Sequence, residues 1–341
     1  MAYTTINKST DYFNTKLISG NGGTQSITGV GHQPDFTWIK SRSRVDPHSL
    51  TDIVRGVASQ LDSSGTGVPT THSDAITSFN SDGFSLGSQA DVNRSGTTFA
   101  SWNWKAGGGQ GSSNTAGSIN TTYTSVNTTA GFSISKYTGT GSNATVGHGL
   151  GVAPNMVLVK SLSGGGDWTS YHSVLGNTKY MRLNSTNAVG TQSSYWNDTS
   201  PTSTVFSLGS AGDTNTNGGT HVAYCFAEKT GYSKFGSYTG NGSTNGTFVY
   251  LGFKPAFLMI KKTNEANDWF IQDNKRLGYN PSNSYLEANT NLAEQTETDI
   301  DILSNGFKCR STGGGHNDGN YIYMAIGQSL VGSNNVPCTA R

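Results

Sequence analysis

Apolar and polar positions alternate with a period of two in short runs along this chain, and clusters of Gly, Asn, Ser and Thr separate the runs. This is the pattern of β-strands joined by tight turns. The clearest runs each follow a proline, a residue tolerated at the start of a strand. After Pro34, Phe36 and Trp38 fall on one side and Thr37 and Ile39 on the other, and Lys40 is expected to mark the strand's exit into solvent. After Pro154 and Pro255, Met156-Val157-Leu158-Val159 and Phe257-Leu258-Met259-Ile260 are apolar on both faces, as in strands buried between two layers. Asn21-Gly22, Asp82-Gly83, Asn241-Gly242 and Asn305-Gly306 supply turns that need positive φ. Residues 50–56 and 291–299 are the modest helix candidates.

The pattern occurs three times. Gly31-x-x-Pro34-x-Phe36-x-Trp38-Ile39-Lys40 returns as Gly151-x-x-Pro154-x-Met156-x-Leu158-Val159-Lys160 and as Gly252-x-x-Pro255-x-Phe257-x-Met259-Ile260-Lys261. A Gly-x-Gly turn precedes each copy (Gly20, Gly139, Gly240), and an apolar element follows each (Phe84, Phe206, Phe307). From the first copy to the second, the leading Gly, the Pro and the Phe shift by 119, 120 and 122 residues, and from the second to the third each shifts by 101. Fixed spacing of three landmarks is the mark of an internal repeat. The chain is therefore expected to be all-β, with three tandem antiparallel β-sandwich modules of jelly-roll or concanavalin-like type. An N-terminal arm (1–11) precedes repeat 1 (12–105), and a Gly/Ser/Thr/Asn-rich linker (106–130) reads as flexible. Repeat 2 (131–229), repeat 3 (234–329) and a C-terminal tail (330–341) follow. A parallel β-helix fits less well, because its period is about 20–30 residues.

Composition narrows the function. Lys plus Arg number 22 and Asp plus Glu 21 in 341 residues, giving a net charge of +1, and charged residues make up only 13%. Such a chain lacks the basic field of a nucleic-acid binder and the charge of a disordered one. The longest apolar stretches, such as Ala256–Ile260, are far short of a membrane span, and the start carries no secretion signal pattern, so neither membrane insertion nor export by that route is expected. Cys225, Cys309 and Cys338 have no C-x-x-C spacing, which argues against a disulfide framework or a zinc knuckle. Cys309 fills the slot of Leu86 and Leu208 and reads as a small buried hydrophobe.

The chemistry-bearing motifs are sparse. The three Gly-x-Gly turns lack the third glycine and the following helix of a phosphate loop, so they read as hairpin turns and no cofactor is expected. Asp299 and Asp301 alternate onto one strand face, which suits an acid pair, a cation or, more commonly, a solvated strand end. The seven histidines show no ligand spacing, so no metal site is expected. Asp167-Trp168 and Asp268-Trp269 lie in equivalent places, eight residues after Lys160 and Lys261. A Trp beside an Asp suits glycan stacking, while a repeated Trp equally fills a repeated core, and repetition favours the core. Tyr195-Trp196 lies in a polar context with no counterpart in repeat 1 and is the better candidate for an exposed aromatic contact. Tyr195, Trp196, Trp168 and Trp269 are thus the candidate glycan contacts, and no catalytic residue emerges.

The repeated Gly-x-x-Pro element, the Lys136–Gly141 start, the Ser81–Leu86 element, the Trp102–Gly107 end and the Val336–Arg341 terminus resemble virion structural or tail-fibre-like proteins of marine tailed bacteriophages with lectin-like sandwiches. The resemblance implies a non-enzymatic virion protein, a tail fibre or head fibre or decoration, that contacts other virion proteins and a host-surface glycan. A homo-oligomer, a trimer above all, or a multicopy assembly is expected. Three modules in one chain could instead mimic a trimer as a monomer. A free-standing carbohydrate-binding protein is the alternative, and a polysaccharide-degrading tailspike is a weaker one.

Overall fold

The computed structural model describes residues 4–277 and 279–330, apart from the side chains of 283 and 298. Residues 1–3 of the arm and most of the tail, including Cys338, lie outside the described residues. The chain is almost all β, arranged in several antiparallel sheets. One strand order recurs in the three repeats. In repeat 1 it runs Phe13–Ser19, Thr98–Trp104, Phe36–Ser41, Ser49–Asp52. In repeat 2 it runs Phe132–Thr138, Thr220–Phe226, Met156–Ser161, Thr169–His172. In repeat 3 it runs Ser233–Thr239, Asn320–Gly327, Pro255–Lys262, Trp269–Asp273. A smaller antiparallel pairing accompanies each: Gln25–Ile27 with Gly83–Leu86, Ala144–Gly147 with Val205–Leu208, and Phe248–Tyr250 with Gly306–Cys309.

Because successive strand residues face opposite ways, each main sheet serves two cores. In repeat 1, Ile18, Ile39 and Phe99 pack with Phe84 and Leu86 of the small sheet. The alternate residues Phe13, Phe36, Trp38, Trp102 and Trp104 enter a central core shared with Phe132, Leu158 and Tyr224 of repeat 2 and with Phe257, Met259 and Met324 of repeat 3. Phe36 lies 4.6 Å from the Tyr224 ring, Phe13 5.6 Å from Phe257, and Phe226 6.4 Å from Phe235. The repeats are not beads on a string; they close on one another. The two ends of the fold also meet, with the Leu330 amide donating to the Asn7 carbonyl.

Several expectations are corrected. Lys40 does not exit into solvent; it is fully buried, as are Lys160 and Lys261 at the equivalent positions. Residues 50–56 and 291–299 form no helix: Leu50 pairs with Trp38 in a strand, and Gln295–Leu303 is a strand. Among the described residues the short α-helices are Ala90–Asn93, Ser193–Trp196 and Gly212–Asn215, and Ser9–Asp11 is a 3-10 turn. Residues 106–130 are not a flexible tether. The amides of Ala106 and Gly108 donate to Asp35, Ile119 is buried, and Tyr123–Asn127 extends the repeat 2 sheet.

Candidate functional site

The Gly-x-Gly turns wrap buried asparagines. Asn215 donates from Nδ2 to the Ser142 and Gly209 carbonyls (2.6 and 2.7 Å), and its Oδ1 accepts the Thr140 amide. Asn93 and Asn317 do the same for the turns after Gly20 and Gly240. The leading residue must be glycine for steric reasons. A Cβ on Gly20 would sit 2.1 Å from the Arg94 carbonyl oxygen, and one on Gly139 2.5 Å from that of Thr216. These loops are filled by protein and offer a phosphate no room.

The repeated Lys and the position eight residues later hold the repeats together. Lys40 reaches the Asn291 carbonyl of repeat 3, Lys160 the Thr66 carbonyl of repeat 1, and Lys261 the Thr186 carbonyl of repeat 2 (3.2, 2.9 and 2.9 Å). Trp168 Nε1 donates to the Asp62 carbonyl of repeat 1 at 2.8 Å, and Trp269 Nε1 to the Arg182 carbonyl of repeat 2 at 2.9 Å. In repeat 1 this place belongs to His48. Its Nδ1 accepts from Trp38 Nε1, so Nε2 carries the proton toward the Glu287 and Thr290 carbonyls of repeat 3. Burial pushes the three lysines down to about 8 and His48 to about 3.

A third set of contacts runs the other way round. Tyr224 of repeat 2 donates to Asp52 of repeat 1 at 2.6 Å, and Trp102 of repeat 1 donates to Asp273 of repeat 3 at 3.0 Å. His172 of repeat 2 meets the Tyr323 carbonyl of repeat 3 at 3.2 Å. Each repeat thus touches the other two through the same positions in cyclic order.

The expected glycan contacts are therefore spent inside the fold. Trp168 and Trp269 are buried junction residues. Tyr195 and Trp196, expected to be exposed, are 4% and 2% exposed. The Tyr195 hydroxyl donates to Asp213 at 3.1 Å, and Trp196 packs edge-on against Tyr171. Their short helix lays both rings inward beneath a polar backbone segment, which is why the surrounding sequence reads as exposed. Asp299 and Asp301 do not act as a solvated pair: Asp299 is buried 3.5 Å from the His316 ring, and Asp301 faces Arg310 at 3.2 Å. Burial lifts the Cys309 thiol to about 11, consistent with its reading as a core hydrophobe. Among the described residues, no three His, Cys, Asp or Glu side chains converge as metal ligands, and no helix is long and apolar enough to cross a membrane.

One open concave site among the described residues is a cleft of about 480 Å³ in repeat 3, lined by Lys254, Asp273, Asn274, Tyr279, Asn280, Ser282, Ile302 and Gln328. It adjoins a groove of about 180 Å³ toward repeat 1 that shares Asn274 and Gln328. At its floor, Asp273 accepts from Trp102, Arg276 Nε and the amides of Lys275 and Arg276, so donors of the fold occupy its acceptor positions. Asn280 is clamped to Ile302 by two hydrogen bonds. What remains is the buried, unpaired Asn274 Oδ1 and the Tyr279 ring, 73% exposed at the rim. An exposed aromatic beside Ser282, Gln328 and Lys254 suits a hydroxyl-bearing ligand. Sequence reasoning missed this site, although a signal exists. Ser59 follows Asp52 by seven residues and Lys179 follows His172 by seven, but Ser282 follows Asp273 by nine. The longer hairpin carries Tyr279.

No curated protein matches the chain. One family model, described as a domain of unknown function (DUF7483), matches residues 8–329 and so takes in all three repeats and the segment between the first two as one unit. The chain belongs to the DUF7483 family.

Proposed function

We propose that the chain is a non-enzymatic structural protein on the surface of a tailed-phage particle, a tail fibre or a head fibre or decoration. In this reading three jelly-roll or concanavalin-like sandwich modules share one core, and a single chain does the work of a trimer. The observation that carries the reading is the cyclic closure of the three repeats through equivalent positions, which suits a chain seated on a threefold site. The placement on a virion rests on the sequence resemblance. The commitment of Asp52, Asp273, His48 and His172 to internal contacts supports a non-catalytic role.

The Tyr279 cleft favours a second reading, a free-standing carbohydrate-binding protein. Purified particles distinguish the two: peptides of this chain in gradient-banded virions, at a constant copy number, support the structural role. Their absence, with glycan binding by the free chain that is lost in Tyr279→Ala, supports the lectin. Release of oligosaccharide from host polysaccharide overturns both.

A further inference from the structure

The small sheets of the repeats end in equivalent edge strands that are finished differently. In repeat 2 the edge is Ala144–Gly147, and the chain covers it with its own residues 117–119. Ile119 bridges Val146 in parallel, its amide donates to the Thr145 carbonyl at 2.9 Å, and its side chain enters the repeat 2 core. Ser118 and Thr145 exchange side chain–to–amide hydrogen bonds, both at 2.8 Å. Gly117 lies so close that a Cβ there would meet the Thr145 oxygen at 2.4 Å. The pairings Val146 with Phe206 and Val249 with Phe307 place Phe248 of repeat 3 where Thr145 stands in repeat 2.

No described segment bridges the edge Phe248–Tyr250. The Cys309 amide donates to the Thr247 carbonyl and the Leu251 amide to the Asn305 carbonyl, so strand alternation turns the amide and carbonyl of Phe248 outward. Neither has a partner among the described residues. The Phe248 and Tyr250 side chains are 45% and 58% exposed. Val249 retains 6% exposure, whereas Val146 beneath Ile119 retains none. Lys234 guards only the far end, donating to the Tyr250 carbonyl at 3.0 Å. Repeat 1 carries the polar Ser26 at the equivalent place, opposite Ser85. An open, aromatic edge strand is a template for pairing.

We infer that the Phe248–Tyr250 edge accepts an extended segment of another protein in parallel register, as Ala144–Gly147 accepts residues 117–119. The occupant's chemistry follows from the pair already formed. A glycine is required where Gly117 passes the edge carbonyl, and an aliphatic residue where Ile119 covers the valine. An apolar residue replaces Ser118, because Phe248 offers a ring where Thr145 offers a hydroxyl. The inference is independent of the virion reading.

The test uses the full chain and a synthetic peptide of residues 114–122 carrying Ser118→Val. At millimolar peptide, hydrogen exchange of the Phe248 amide is expected to slow, and Phe248→Pro is expected to raise Kd by roughly tenfold or more, a loss of about 1.4 kcal/mol. Pro removes the outward amide together with the exposed ring and leaves the Val249 pairing in place. Phe248→Ser, which copies the repeat 1 edge, serves should the proline variant misfold, and it is expected to reverse the preference toward the peptide with native Ser118. A peptide with Gly117→Val is expected to lose binding. Protection elsewhere, no protection, or equal binding by the Gly117→Val peptide overturns the inference. So does concentration-dependent self-association abolished by Phe248→Pro, which would give the edge to a second copy.

Discussion

Arg55→Met is expected to be among the most damaging single substitutions in the molecule, although Arg55 lies in a turn outside the strands. The guanidinium is 2% exposed and Asp52 not at all. Arg55 Nε bonds Asp52 Oδ2 at 2.5 Å, Nη1 the Ser59 carbonyl at 2.8 Å, and Nη2 the Leu50 carbonyl at 2.9 Å and the Tyr224 hydroxyl at 3.2 Å. Methionine fills the volume but strands a buried carboxylate at the junction of repeats 1 and 2 and takes a donor from the Ser59 and Leu50 carbonyls, the second of which keeps the Leu61 amide. Breaking a buried pair by removing one partner costs about 3–5 kcal/mol. Tyr224→Phe removes the hydrogen bond to Asp52 and the acceptor for Arg55 Nη2 but leaves the ion pair intact, which costs about 1.5–3 kcal/mol. Asp52→Leu together with Arg55→Met and Tyr224→Phe removes every charge and hydroxyl and is expected to regain most of the loss. With an unfolding entropy of about 2.1 cal/mol/K per residue, a loss of about 4 kcal/mol lowers Tm by roughly 6 °C in a chain of this length. Calorimetry and urea titration of the three variants measure the ordering. A loss below about 1 kcal/mol in Arg55→Met, or equal losses in Arg55→Met and Tyr224→Phe, would refute the claim that the junction depends on compensating a buried charge.

Asn215→Ala is expected to cost about 2–3 kcal/mol from three buried hydrogen bonds and to open the Gly139–Ser142 turn to hydrogen exchange, and a cost near zero would mean that water replaces the amide. Acid is expected to destabilise the fold. His48 and His172 titrate at about 3 and 4 when folded, below the unfolded value near 6.5, so stability is full above pH 6.5 and falls progressively as pH drops toward 4, at up to about 1.4 kcal/mol per pH unit per histidine. Flat stability across that window, read by urea midpoint against pH, would contradict neutral burial of both rings. Mild alkali is expected to do the opposite. Lys40, Lys160 and Lys261 titrate near 8 when folded and near 10.5 unfolded, so the unfolded chain holds more protons between those values and stability rises from pH 8 to 10. From about pH 9 the buried Cys225 and Cys309 thiols, and above about pH 10 the buried tyrosines, all with folded pKa values raised by burial, oppose the trend, and a midpoint that falls between pH 8 and 9 would exclude the lysine account.

Local physics was legible in the sequence and partner geometry was not. The prolines at 34, 154 and 255 and the alternation after them located the same strand three times, because strand period and proline chemistry act within about ten residues. The Gly-x-Gly turns were legible as turns, but Asn93, Asn215 and Asn317 fill them from over 70 residues away, and nothing local marks an asparagine as a plug. Lys40 reads as a solvent exit because a lysine ending an apolar run is usually solvated. Its actual partner, the Asn291 carbonyl, belongs to another repeat. The choice between a core and a glycan role for Trp168 and Trp269 turned on whether a backbone carbonyl stood at the right place in the neighbouring repeat, which no spacing encodes. Tyr195 and Trp196 were misjudged because composition reports the polarity of a segment and not the direction of its side chains.

Covalent linkage of the three repeats explains why their junctions could diverge. In a homotrimer every interface must repeat the same residues, so an improvement at one is imposed on all. Here the first junction is Asp52, Arg55 and Tyr224, and the third is Asp273, Arg276 and Trp102, both built round a fully buried ion pair. At the second, His172 and Leu175 replace Asp and Arg, and the position facing them is Met324, so the ion pair has given way to a neutral ring and apolar contacts. Arg276 extends its network through Glu294 to Arg42, which the Arg55 junction lacks. Three different junctions make the cyclic order unambiguous, since an Arg–Asp pair meeting Met324 in place of Tyr224 or Trp102 would lose a hydrogen bond to its carboxylate. The same freedom confines the covered edge to repeat 2 and the aromatic edge and the Tyr279 cleft to repeat 3. Cyclic contacts between repeats that carry different edges and clefts leave repeat 3 with the open features, and recognition is expected to concentrate there.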